Sequence, residues 1–211
     1  PGSVVGTAIV ENSDYLMFTG SSQTGRLLAE QAGRRLIGFS AELGGKNPMI
    51  VTAGANLRKV TDAAVRACYS NSGQLCISIE RIYVEKSIAP EFLRMFGDRV
   101  RAIKLGASYD FDTEMGCLVN ETQGKTVPGH VDDAVAKGAT LVAGGKARPD
   151  LGPLFYEPTV LTDVPEDAEC YRDETFGPVV SVYSVDNVDE AIRRANDTEY
   201  GLNASVWAAT K

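Results

Sequence analysis

Cys76 follows a Ser-Gly-Gln turn in NSGQLCIS (71–78), within reach of the strand-like run ERIYVEK. A thiol placed there can be a small core residue, a redox switch or, as thiolate, a nucleophile. Upstream, Glu42 interrupts an apolar stretch in AELGGKNP, immediately before two glycines. A carboxylate at the end of a half-buried strand must be solvated, paired, or held with a raised pKa for proton transfer. In FTGSSQTG, Gly20 lets the chain turn at a strand end, and Ser21, Ser22 and Gln23 open a helix whose amino end suits a phosphate. Gly20 and Gly25 do not make the Gly-x-Gly-x-x-Gly dinucleotide fingerprint, and an ordinary capped βα turn reads the same way. In RDETFGP, Glu174 lies two residues before Phe176. On extended chain the two point the same way, setting an acceptor beside an aromatic face; sugar hydroxyls and a flat heterocycle fit that pair, and a surface acidic turn is the alternative.

The elements that position these residues are legible from periodicity. DYLMFTG reads as a strand, and SSQTGRLLAEQAGRRL as a helix with Leu27, Leu28, Ala32 and Leu36 on its apolar side. IGFSAELGG and PMIVTA are strands separated by the turn GGKNP. Asn56 caps a helix in LRKVTDAAVRACYS that faces Leu57, Val60, Ala64, Val65 and Cys68 inward, which makes Cys68 a core residue. RIYVEK is a strand, and SIAPEFLRMFGDRVRAIKLG a helix with Phe92, Met95, Phe96, Val100 and Ile103 inward. A helix over 121–137, a strand at TLVAGG, extended chain at FYEPTVLTDV and a loop at ECYRDETFGP follow. The strand VVSVYSV, the helix VDEAIRRAND, the turn YGLN and the run ASVWAA complete the series. Strands alternating with helices predict an α/β fold, a mostly parallel sheet with helices on both faces. The change of role falls at Glu42, predicting a unit over 1–41 and a longer one over 42–211.

Composition excludes several classes. The 211 residues are 44% hydrophobic and 23% charged, ordinary for a soluble globular protein. The net charge of −7 includes no basic cluster that could follow a phosphate backbone, so no nucleic-acid partner is expected. No run approaches the roughly 20 apolar residues of a membrane span, and the start lacks the pattern of a secretory signal. A cytoplasmic location is the expectation. Cys68, Cys76, Cys117 and Cys170 form no Cys-x-x-Cys pair, and the one histidine, His130, cannot supply a metal cluster. Neither a metal site nor a disulfide framework is predicted, and His130 reads as a solvated residue near a helix start.

Taken together, AELGGKNP, SGQLC, FTGS, ETFGP and ANDTEYGLNASVW resemble landmarks of the aldehyde dehydrogenase superfamily in the expected order. The similarity runs from Val4 to Lys211, and the Glu42-to-Cys76 spacing matches that of the family. SAELGGKNPMIV joined to NSGQLCISIERIYVEK is most similar to bacterial succinate-semialdehyde dehydrogenases, with a broad-specificity aldehyde dehydrogenase as the alternative. The resemblance implies that Cys76 attacks an aldehyde to form a thiohemiacetal, that hydride passes to NAD or NADP, and that Glu42 activates water to hydrolyse the resulting thioester. It implies that the Cys76 N–H is one oxyanion donor, that Gly20, Ser21 and Gly25 lie against the cofactor phosphates, and that Leu43 lines the nicotinamide pocket. Glu174 would then bind the nicotinamide-ribose hydroxyls and Phe176 pack beside the nicotinamide. The 1–41 unit becomes the end of a Rossmann-like cofactor domain and 42–211 a catalytic domain.

The ends read as cut. By the same resemblance an asparagine oxyanion donor, an adenosine-binding lysine and the first βαβ units lie before residue 1, and the last catalytic strands and an oligomerisation strand lie after Lys211. The segment alone is therefore expected to be inactive, the parent enzyme a homo-oligomer, dimer or tetramer. Arg81 and Arg172 are the candidate partners for a substrate's distal carboxylate. A rival reading, a cysteine hydrolase, would need His130 as base to Cys76.

Overall fold

The computed structural model describes residues 2–109 and 111–209, with side chains from Val4 onward. Pro1 and Lys211, where the sequence reads as cut, lie outside the described residues. Two compact units divide between Gly44 and Gly45.

The first unit runs α1 (Gly2–Asn12), β1 (Tyr15–Thr19), α2 (Ser22–Arg35) and β2 (Gly38–Glu42). β1 and β2 pair in parallel with α2 as the crossover, so Thr19 lies opposite Glu42. α2 begins where expected because the Ser21 hydroxyl accepts the Thr24 N–H. Its apolar side differs from the reading of the sequence. Gly25 and Ala32 are buried, whereas Leu27 and Leu36 are exposed.

The second unit contains β3 (Asn47–Val51), α3 (Leu57–Tyr69), β4 (Ile79–Glu85), α4 (Ala89–Arg101), α5 (Glu121–Ala136) and β5 (Thr140–Ala143). It continues through β6 (Thr159–Thr162), α6 (Glu169–Arg172), β7 (Val179–Val185), α7 (Val188–Asn196) and β8 (Ser205–Trp207). The sheet order is β5-β6-β7-β4-β3-β8, parallel throughout except for the β5–β6 pair. Side-chain alternation builds a core on each face. Met49, Val51, Ile82, Val84, Val180 and Val182 pack with Val60, Ala64 and Cys68 of α3 and with Phe92, Phe96 and Val100 of α4. Ile50, Tyr83, Leu161, Tyr183 and Val185 face the other way, onto Val127 and Val131 of α5, Cys170 of α6 and Ala191 of α7. This is the expected α/β architecture, mostly parallel and covered on both faces.

Asparagines at the amino ends set three of these helices: Asn56, Asn120 and Asn187 accept the N–H groups of Lys59, Gln123 and Glu190. Cys68 is a core residue as expected, and burial, with the nearby Glu80 charge as a smaller cause, pushes its thiol far above the ordinary range.

Two expectations fail here. The loop ECYRDETFGP contains a helical turn, α6. His130 is not solvated near a helix start; it sits midway along α5, is 8% exposed, and its Nδ1 lies 3.1 Å from the Thr175 hydroxyl. The face of α5 that carries Val127, Val131 and Ala134 rotates His130 inward as well.

Burial, helped by the charge on Lys46, holds the His130 pKa below its usual 6.5. The folded chain thus binds that proton less readily than the unfolded one. Its contribution to stability is intact above about pH 6.5 and is lost as pH falls below that value. Denaturant unfolding measured across that range should show this acid-side loss, and His130→Gln should flatten it.

Candidate active site

In the first unit the predicted residues gather at the carboxyl ends of β1 and β2. The Gly20 N–H donates to the Glu42 carbonyl at 3.0 Å, closing the turn between strand and helix. Glu42 ends β2 with an exposed side chain. A Cβ on Gly25 would meet the Leu43 side chain at 2.5 Å, so glycine is what allows α2 and the chain after Glu42 to approach this closely. The amino end of α2, capped by Ser21, presents the positive end of its dipole here, which fits an anionic phosphate.

In the second unit the predicted residues meet at the amino ends of the strands. Gly45 is their common neighbour. Its N–H donates to Glu174 Oε1 at 2.9 Å, and a Cβ on it would lie 2.5 Å from the Cys76 carbonyl. Glu174 Oε2 has no partner among the described residues, which leaves an acceptor for a sugar hydroxyl. Burial pushes the Glu174 carboxyl above its usual pKa, and the Gly45 bond opposes that shift. Phe176 departs from the extended geometry imagined for RDETFGP: its φ is +49°, so the chain reverses there and runs into β7. The Gly177 carbonyl packs where a Cβ on Gly73 would stand, 2.1 Å away, locking the two loops together.

Cys76 is half-buried on a turn of unusual backbone. Asn71, Ser72 and Gly73 take φ of 51°, 58° and 69°, three left-handed residues in succession. Such strain persists only where surroundings enforce it. Ser72 Oγ donates to the Gly116 carbonyl at 3.0 Å, and Gln74 bonds the chain at Cys117 and Val119. Asn47 completes the frame: its Nδ2 donates to the carbonyls of Cys76 (2.8 Å) and Ser78 (2.7 Å), while its Oδ1 accepts the Asn203 N–H (3.0 Å). No acceptor among the described residues takes the Cys76 N–H, which leaves it as a donor for an oxyanion. A thiol displayed on a rigid turn, beside a spare amide donor, can add to an electrophilic carbon and receive the negative charge that develops.

Several residues that hold this site were not singled out from the sequence. Lys46 Nζ and Glu80 Oε2 form an ion pair of 2.6 Å, the side chains 2% and 3% exposed. Glu80 also accepts the N–H groups of Thr175 and Phe176. Gln123 Nε2 donates to the Thr175 and Phe176 carbonyls at 2.6 and 2.8 Å. The available signal was Glu80-Arg81 inside ISIERIYVE, since charges in a central parallel strand are buried and need partners.

Neither arginine suggested for a distal carboxylate is free. Arg81 is buried and donates to the carbonyls of Lys46, Arg194 and Ala195 and to the Tyr83 hydroxyl, closing the carboxyl end of α7. Arg172 makes a two-point pair with Asp197 at 3.3 and 3.2 Å. Among the described residues no cluster of His, Cys, Asp or Glu could hold a metal, and no helix is long and apolar enough to cross a membrane.

Comparison with known proteins comes from three directions. A sequence model of the aldehyde dehydrogenase family matches residues 1–211. The chain is 73% identical over 210 residues to a Mycobacterium tuberculosis protein named "Putative succinate-semialdehyde dehydrogenase (NADP(+)) 2", covering 100% of this chain and 40% of that one. Among solved structures, the betaine aldehyde dehydrogenase betB of Staphylococcus aureus in complex with NAD+ superimposes with a TM-score of 0.94 at 38% identity, over 99% of this chain and 42% of that one. An Anabaena variabilis protein named "Putative Aldehyde Dehydrogenase PutA" gives a TM-score of 0.95 at 40% identity, over 100% of this chain and 45% of that one. The chain thus spans about 40% of the length of the curated relatives it matches.

Asn47 satisfies two carbonyls and one amide in a site that water barely reaches. Asn47→Ala should therefore lower stability by about 2–4 kcal/mol. Asn47→Asp, which turns an acceptor toward both carbonyls, should do at least as much harm. Thermal melting of the two variants against the parent checks the order.

Proposed function

The chain belongs to the aldehyde dehydrogenase family, and from that premise we propose that the longer enzyme containing it oxidises an aldehyde to the carboxylic acid with NAD or NADP. Succinate semialdehyde is the proposed substrate, supported by the name of the 73% identical relative. The observation that carries the reading is Cys76 itself: one half-buried thiol, just after a left-handed turn and braced by Asn47, with its own N–H meeting no acceptor among the described residues. Burial raises the pKa of Cys68 and of Cys170, which suits them to the core and not to attack.

In this mechanism the Cys76 sulfur, as thiolate, forms a bond to the aldehyde carbon while the carbonyl π electrons move onto oxygen. The Cys76 N–H donates to that oxyanion. NAD(P)+, when bound, supplies the acceptor for the hydride that leaves the former aldehyde carbon. Gly20, Ser21 and Gly25 would hold its phosphates at the amino end of α2, Leu43 would line the nicotinamide pocket, Glu174 would bind the ribose hydroxyls and Phe176 would flank the nicotinamide. The fit rests on the capped α2 terminus, the Gly25–Leu43 close approach and a Glu174 oxygen that has no partner among the described residues. Glu42 would then take a proton from water as the water oxygen adds to the thioester carbon, expelling the Cys76 thiolate and releasing the acid. Residues 1–41 are proposed as the end of the cofactor domain and 42–211 as the catalytic domain, in a cytoplasmic homo-oligomer.

In the full-length enzyme Cys76→Ala should abolish aldehyde-dependent formation of reduced nicotinamide. Glu42→Gln should retain a first burst, one equivalent per site, and then stall because the thioester is not hydrolysed; absence of that burst would remove Glu42 from its role. A panel of aldehydes with and without a terminal carboxylate tests the substrate: kcat/KM should favour the acid-bearing aldehydes by about tenfold or more if an ion pair selects them. Equal turnover of both kinds would point to the broad-specificity alternative.

A further inference from the structure

Phe176 is the one residue of the Glu174–Gly177 loop held in the left-handed region, at φ +49°. A bulky side chain there costs about 1–3 kcal/mol, which the surroundings must supply. They do so through Glu80. Its Oε1 accepts the N–H groups of Thr175 (3.1 Å) and Phe176 (3.0 Å), and its Oε2 accepts Thr175 N–H (3.0 Å) and Lys46 Nζ (2.6 Å). A carboxylate is suited to this task because it only accepts, with room for about four donors on two oxygens. An amide would turn its own donors toward an ammonium and two N–H groups. Lys46 supplies the balancing charge at a place where an isolated carboxylate could not stay ionised. From the other side, Gln123 binds the carbonyls of the same two residues and His130 meets the Thr175 hydroxyl. Thr175 and Phe176 are thus each gripped through both their N–H donor and their carbonyl acceptor.

We infer that Glu80 is a positioning residue for the cofactor: with Lys46 as counter-charge it holds Thr175 and Phe176 in the conformation that aims the Glu174 carboxylate and the Phe176 ring. The inference rests on the roles proposed above for Glu174 and Phe176. Glu80 touches neither substrate nor cofactor, and acts through the backbone of the loop. Its effect belongs to cofactor binding and hydride transfer, not to the reactivity of the Cys76 thiol, whose turn is braced by Asn47, Ser72 and Gln74.

Two reactions of the same full-length enzyme separate these effects. Aldehyde oxidation needs the nicotinamide. Hydrolysis of p-nitrophenyl acetate needs only the Cys76 thiolate, which displaces p-nitrophenolate, and water, which then releases acetate. The variants are Glu80→Gln and the double variant Lys46→Met with Glu80→Gln, which leaves no stranded ammonium if the single variant folds poorly. In each, KM for NAD(P)+ should rise by about tenfold or more, and kcat/KM for aldehyde oxidation should fall about tenfold further than that for ester hydrolysis. A deuterated aldehyde should give a larger isotope effect on kcat than with the parent, as hydride transfer becomes rate-limiting. Equal losses in the two reactions, with KM for NAD(P)+ unchanged, would overturn the proposal by making Glu80 a residue of general stability. Ester hydrolysis without any aldehyde-dependent reduction of NAD(P)+ by the unsubstituted enzyme would instead overturn the dehydrogenase reading beneath it.

Discussion

A lysine and a glutamate, each almost sealed from water, meet across 2.6 Å where β3 and β4 begin, and the second unit's loops are arranged around that contact. Desolvating two charges is costly, and such a pair is often no more stabilising than well-packed apolar residues of the same size. What it supplies here is directional. Lys46 precedes β3, Glu80 lies in β4, and the remaining acceptor capacity of Glu80 reaches the N–H groups that lead into β7. Removing either partner would strand a buried charge, so the three strand entrances are tied to one another more firmly than surface ion pairs could tie them.

The same constraint explains where the second unit keeps its polar residues. Open parallel sheets generally receive ligands at the carboxyl ends of their strands, where loops splay apart. In the first unit Gly20 and Glu42 lie at that end, where β1 and β2 finish. In the second unit Gly45, Cys76, Glu174 and Asn203 all lie just before strands β3, β4, β7 and β8. Amino ends of neighbouring parallel strands expose N–H groups, and the side chains that gather there are acceptors or two-sided amides. Glu80, Glu174 and Asn47 each answer one or more of those donors. Backbone that would be costly elsewhere, three left-handed residues before Cys76 and a left-handed Phe176, is held at this edge by side-chain bonds from α5, β3 and β4.

Much of the architecture was legible in local pattern. Short strand-like runs placed β3, β4 and β7, the 3.6-residue period placed α3 and α4 with Phe92, Phe96 and Val100 inward, and Asn56 marked the start of α3. The errors have specific causes. Leu27 and Leu36 have helical spacing, yet they are exposed, and the buried residues of α2 are Gly25 and Ala32. His130 was read as a solvated residue near a helix start, whereas the apolar face of α5 decided its burial. RDETFGP offered no local sign of a reversal at Phe176, because the donors and acceptors that enforce it come from Glu80 and Gln123.

The sequence by itself determined the α/β alternation, the core faces of α3 and α4, and the short list of chemically able residues led by Cys76 and Glu42. Those are properties of residue type and near spacing, which act within one or two turns of chain. Only the tertiary structure decided that Lys46 pairs with Glu80 at 34 positions' separation, that Glu80 grips Thr175 at 95, and that Gly45 meets Glu174 at 129. It also decided that Arg81 closes α7 and is not free for a substrate. Partnerships of that range are set by sheet order and register, because a buried charge takes whichever partner the strands bring within hydrogen-bond distance.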